Sequence, residues 1–100
     1  MNQQQLLKNA LELTHGIAAA ARAGDWIEAA RLADERSPLL LQVQNDQADA
    51  TLALVREIQT LDASLMSDAD DARMSLGKNY REAMARTTAA NRYQQAARLF

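Results

Sequence analysis

The chain has 100 residues, with 3 Gly, 1 Pro, no Cys, 24% charged residues and a formal net charge of -2. That length suits one domain with a real core but no deep cavity. The absence of cysteine excludes a disulfide framework and a thiolate metal site, so stability must come from packing.

From the N-terminus, Met1 to Leu6 lack the basic start and apolar core of a secretory signal, and no apolar run approaches the ~20 residues that span a bilayer. A cytoplasmic chain without membrane insertion is expected. Leu6, Ala10, Leu13, Ile17 and Ala21 recur at helical spacing and predict an amphipathic helix over about residues 3 to 23, its stripe widened by Leu7, Leu11 and Ala18. Gly24 offers the left-handed position that ends a helix, and Asp25 is placed to cap the next, with Glu28 three residues on. So tight a turn makes antiparallel neighbours and folds Trp26 back towards Ala20 to Ala23.

The second helix is predicted over about residues 26 to 43, with Trp26, Ala30, Ala33, Leu40 and Val43 inward. Pro38 removes one helical hydrogen bond and crowds the preceding turn, which predicts a kink or a short break at Ser37-Pro38. After the polar connection Gln44 to Gln47, Leu52, Val55, Ile58, Leu61 and Leu65 restart the helical stripe. It persists through Ala69, Ala72, Leu76, Tyr80, Ala83, Thr87 and Ala90 without a proline. One long third helix from about 48 into the high 80s is the simplest reading, followed by a short helical tail to Phe100. The alternative is a break at Ser67, with Ser67 as cap and Asp70 three residues on. The fold class is therefore all-α, an antiparallel bundle of three to four helices with a long third helix in a single domain.

Catalytic chemistry finds little to work with. His15 is the sole histidine, and a lone histidine on an alanine-rich helix reads as a surface residue. Asp62, Asp68, Asp70 and Asp71 lack the glycine turn and closing glutamate of a calcium loop and read as a solvated helix face or the favourable N-terminal charge of a new helix. No phosphate loop or nucleophile elbow is present. No catalytic residue, cofactor or metal ligand is expected, and the chain reads as a non-enzyme.

Charge is unevenly placed: residues 1 to 72 carry 5 basic and 12 acidic side chains, and residues 73 to 100 carry 6 basic side chains and 1 acidic. The two parts should attract each other, within one chain or between two. Tyr80 and Tyr93 in the basic part raise nucleic-acid binding, but the basic residues are widely spread and the acidic remainder repels phosphate, so a protein partner is the first expectation. A third helix of about 40 residues would be about 60 Å long at 1.5 Å per residue. Two shorter helices cannot cover it, so its far end must fold back, pair with a second copy or receive a partner helix. Met66, Met74 and Met84 suit an adaptable surface.

The turn Ala23-Gly24-Asp25-Trp26, then Arg36 with Leu39-Leu40, then Val55, Ile58, Leu61 and Asp62, and an Arg-rich segment ending near Tyr93 together resemble the FliT family of flagellar export chaperones. The resemblance implies a helical bundle that holds the filament-cap protein FliD in the cytoplasm and delivers it to the flagellar type III export apparatus. It further implies contacts with the export ATPase, export-gate components or a flagellar transcriptional regulator, and a C-terminal helix that shields the binding surface. On this reading Ile58, Leu61, Leu65, Leu76, Tyr80 and Met84 form the partner-binding surface. Arg92, Tyr93, Arg98, Leu99 and Phe100 belong to an inhibitory tail resting on the acidic bundle, and Arg36 and Asp62 form a structural salt bridge. The alternative is a structural coiled-coil-like homodimer without a dedicated client.

Overall fold

The computed structural model describes residues 2–44, 46–74 and 80–98, apart from the side chains of residues 80 and 83. These residues form four helices, α1 (Gln3–Arg22), α2 (Trp26–Leu40), α3 (Asp49–Met74) and α4 (Tyr80–Ala97). The all-α bundle expected from the sequence is the fold observed.

Local chemistry sets the first two helices. The Asn2 side chain accepts from the Gln5 N–H at 2.8 Å and starts α1. At its end the Asp25 N–H reaches the Ala20 carbonyl at 2.8 Å and the Gly24 N–H reaches that of Ala21 at 2.9 Å. This paired closure requires a left-handed residue, supplied by Gly24 with φ 77°. Asp25 then accepts from the Glu28 N–H at 3.1 Å and starts α2.

Pro38 does not break α2. The Ser37 hydroxyl donates back to the Ala33 carbonyl at 2.9 Å rather than capping a new turn, and the Leu41 N–H still reaches Ser37 at 3.1 Å. Because Pro38 sits in the last turn of the helix, its missing N–H costs one bond near an end that would fray anyway. The helix stops at Leu40 rather than Val43, since the N–H groups of Gln42 and Val43 bond three residues back instead of four. Gln3 holds the following connection: its Oε1 accepts from the Gln44 N–H at 3.0 Å and from Gln47 Nε2 at 2.7 Å.

The third helix departs most from expectation. It ends at Met74 instead of running into the high 80s, and the chain returns antiparallel to it as α4. Ser67, the alternative break point, lies exposed inside α3. The physical reason for the return is burial. A straight continuation would hold Ala89, Ala90, Tyr93 and Ala96 in water, whereas the return buries all four.

Among the described residues the helices contact in a ring, α1 to α2 to α4 to α3 and back to α1, so that α2 and α3 lie on a diagonal. Two apolar clusters fill the interior. Ile17, Trp26, Ala29, Ala30, Ala33, Leu65 and Ala69 receive the buried face of α4. Leu7, Ala10, Leu40, Val55 and Ile58 form the other cluster, which among the described residues contains none from α4.

Candidate functional site

Between the two clusters lies a polar centre to which each helix contributes one side chain. Thr14 on α1 occupies a stripe position, four residues after Ala10 and three before Ile17, and its hydroxyl donates to the Ala10 carbonyl at 2.8 Å. That satisfies its own proton and leaves its oxygen to accept from Arg36 Nη1 of α2 at 2.9 Å. The same nitrogen donates to both oxygens of Asp62 on α3, at 3.0 and 3.1 Å. From α4, the Tyr93 hydroxyl donates to Asp62 Oδ1 at 2.9 Å.

The centre is dry on one side and wet on the other. Arg36 is 0% exposed, whereas the Asp62 side chain keeps 15% of its surface in a shallow cleft with Gln59, Ala63, Met66 and Ala97. Arg36 Nε and Nη2 have no hydrogen-bond partner among the described residues, so the pairing with Asp62 is what makes burying this guanidinium tolerable. Burial pushes the Tyr93 phenol above its ordinary range, the charge and hydrogen bond of Asp62 add to that, and Arg36 opposes it. The phenol is thus held as a donor. Its ring packs against Trp26 at 5.9 Å with a 59° tilt, a geometry favoured by aromatic quadrupoles.

Three successive residues of α4 donate to three carboxylates of the other helices. Arg92 pairs with Asp34 on α2, Tyr93 bonds Asp62, and Gln94 Nε2 bonds Asp70 Oδ1 on α3 at 2.8 Å. Here the charge division of the sequence becomes structural, although two of the three donors are neutral. Around this triplet the seam is rich in alanine. Ala89, Ala90 and Ala96 of α4 share one apolar cluster with Ala29, Ala30 and Ala33 of α2 and Ala69 of α3, in which Leu65, Ile17, Trp26 and Tyr93 are the large side chains.

The residues expected at a partner surface do not share one face. Ile58 is fully buried in the cluster with Leu7 and Leu40, Leu65 is buried in the cluster shared with α4, and Leu61 is half-buried. Met84 is 47% exposed and borders, with the 64% exposed Ile27, an apolar groove of about 340 Å³ between α2 and α4. Leu76, Leu99, Phe100 and the side chain of Tyr80 lie outside the described residues. Of the tail residues, Tyr93 is fully buried at the centre of the bundle, Arg92 is half-exposed in its ion pair, and Arg98 is exposed.

The salt bridge expected between Arg36 and Asp62 is present, while Thr14 and Gln94 were not anticipated in the polar network. Thr14 carried a signal, a hydroxyl residue on an otherwise apolar stripe. His15 is exposed beside Glu57, at 3.7 Å. No helix among the described residues is long and apolar enough to cross a membrane.

A family model described as "Flagellar protein FliT" matches residues 4–95. No curated protein and no solved structure matches the chain. The matched residues span α1, α2 and α3 and run through Arg92, Tyr93 and Gln94 of α4, and with this sequence and this bundle the chain belongs to the FliT family of flagellar export chaperones.

Proposed function

We propose that this chain binds the C-terminal segment of the filament-cap protein FliD in the cytoplasm, keeps it unassembled and delivers it to the export apparatus. The binding step is competitive: α4 closes the seam between α2 and α3, and an amphipathic helix of the client takes its place. The observation that supports this reading is the triplet Arg92, Tyr93 and Gln94, which ties α4 to Asp34, Asp62 and Asp70 beside an apolar contact that α4 makes with three alanines and one aromatic ring. Alanine seams bury little apolar area per residue, at roughly 25 cal/mol per Å², so such a helix is more easily exchanged than one anchored by leucines. Once α4 leaves, Leu65, Trp26 and the half-buried Leu61 become client surface. Among the residues first expected at that surface, Met84 belongs to the displaced helix, and Ile58 stays buried in the other cluster. The export ATPase, export-gate components and a flagellar regulator are further partners under this reading.

Size-exclusion chromatography with light scattering, on the chain alone and mixed with the cap protein's C-terminal segment, tests it. A stoichiometric complex is expected. A persistent dimer that ignores the segment points instead to a structural homodimer, for which the exposed groove at Ile27 and Met84 is the first candidate interface.

A further inference from the structure

If α4 is the stand-in for a client, its buried face states what the client must look like. Asp62 is the feature that discriminates. Its carboxylate sits at the edge of the core, bonded on one side by Arg36 and on the other by Tyr93. Removing Tyr93 and laying an apolar helix over the seat would leave that carboxylate covered with a donor missing, and a buried acceptor without its donor is costly. Among the described side chains of α4, Tyr93 is the one large apolar group buried in the seat, in a slot bounded by Trp26 and alanines. One turn to either side of Tyr93, α4 buries alanines. Ala89 and Ala90 precede Tyr93 by one turn and Ala96 follows it by one turn, all nearly or fully buried against α2 and α3. Leucine or isoleucine at those positions would be pressed against Ala29, Ala30, Ala33 or Ala69, and overpacking of that kind is destabilising.

We infer that the partner recognised by this seat is a helix carrying one tyrosine, flanked by small residues at positions −4, −3 and +3 from it, with the phenol replacing that of Tyr93 as donor to Asp62. The inference rests on the displacement reading above and adds the chemistry of the client. Leucine-rich amphipathic helices, the commonest surface helices, are rejected by the alanine walls. Phenylalanine in place of the tyrosine fills the slot but leaves Asp62 short of a donor.

A displayed library of 18-residue helical peptides, selected against the full chain, tests it without presupposing a client. Enriched helices should share a tyrosine with Ala, Gly or Ser at −4, −3 and +3. Resynthesised with Tyr→Phe, they should bind about tenfold more weakly, with the sole tryptophan, Trp26, reporting entry into the seat. Enrichment of Leu or Ile at the flanking positions, indifference to Tyr→Phe, or no enrichment at all would overturn the inference. The cap protein's C-terminal segment separates this from the reading beneath it. If that segment binds the Tyr93→Phe chain more tightly than the wild type yet keeps its affinity when its own tyrosines become phenylalanine, only the present inference fails. If its affinity ignores Tyr93→Phe, the displacement reading fails.

Discussion

Replacing Tyr93 by phenylalanine removes one oxygen from the centre of the bundle and leaves the ring against Trp26, so the loss isolates a single hydrogen bond. Bonds to charged groups contribute about 1.5–3 kcal/mol. The low end applies here, because Asp62 keeps two N–H contacts from Arg36 at 3.0 and 3.1 Å and its side chain retains 15% exposure through which water reaches it. About 1.5 kcal/mol corresponds to a fall in Tm of about 6–12 °C for a domain of this size. With a urea m-value of about 1.5 kcal/mol per M, the midpoint falls by about 1 M. Trp26 emission and far-ultraviolet circular dichroism follow the transition, the first locally and the second globally. A change below about 0.5 kcal/mol would mean that the phenol adds nothing beyond its ring. A loss above about 4 kcal/mol would mean that the substitution had broken packing rather than one bond.

Asp62→Ala strands a fully buried guanidinium and is expected to cost about 3–5 kcal/mol. The triple substitution Arg36→Met, Asp62→Leu and Tyr93→Phe, which removes the whole charged set, should cost less in the same urea titration; a greater cost would contradict the account of the centre. Tyr93 also makes a pH prediction. Its folded pKa lies above the ordinary tyrosine value through burial first and Asp62 second. The folded chain therefore keeps a proton that the unfolded chain releases, and the contribution is complete below about pH 10 and lost as pH rises above it, at about 1.4 kcal/mol per unit. Stability curves of the wild type and of Tyr93→Phe should converge between pH 10 and 11, and parallel curves would contradict the burial. Gly24→Ala should cost about 1–2 kcal/mol, since φ is 77° and an added Cβ would meet nothing within 4 Å, leaving backbone strain as the whole effect. An unchanged thermal midpoint for that variant would refute the account of the turn.

Much of the bundle was legible because the relevant physics is local. The spacing of Leu6, Ala10 and Ile17, and the closure at Gly24 and Asp25, depend on residues within a turn or two of each other. The pairing of Arg36 with Asp62 came with the family resemblance, whereas the acidic residues around Asp62 read by themselves as a solvated face; Asp62 instead lies four residues after Ile58 on the buried stripe, with 15% of its side chain exposed. The end of α3 was passed over: no proline marks it, the sequence offers only Gly77 three residues past Met74, and the same periodic stripe serves a straight helix or a returned one. Only the packing of Ala89, Ala90 and Tyr93 against α2 decides between them, and that contact joins residues some 60 positions apart. For the same reason Tyr93, read from the sequence as part of a surface tail, sits at the centre of the core. A break at Pro38 did not follow, since the cost of a proline depends on how many turns come after it, and here the helix ends two residues later.

The most direct test of the central claim, that a client gains access by displacing α4, is calorimetric titration of the cap protein's C-terminal segment into the wild-type chain and into Tyr93→Phe. When binding requires a minor open state, the apparent affinity is reduced by the fraction of molecules that are open. Weakening the closure by about 1.5 kcal/mol should therefore tighten binding about tenfold. An equal or weaker affinity for the Tyr93→Phe chain would contradict displacement, because it would mean that the client binds with α4 in place or that the Tyr93 phenol belongs to the client's own site.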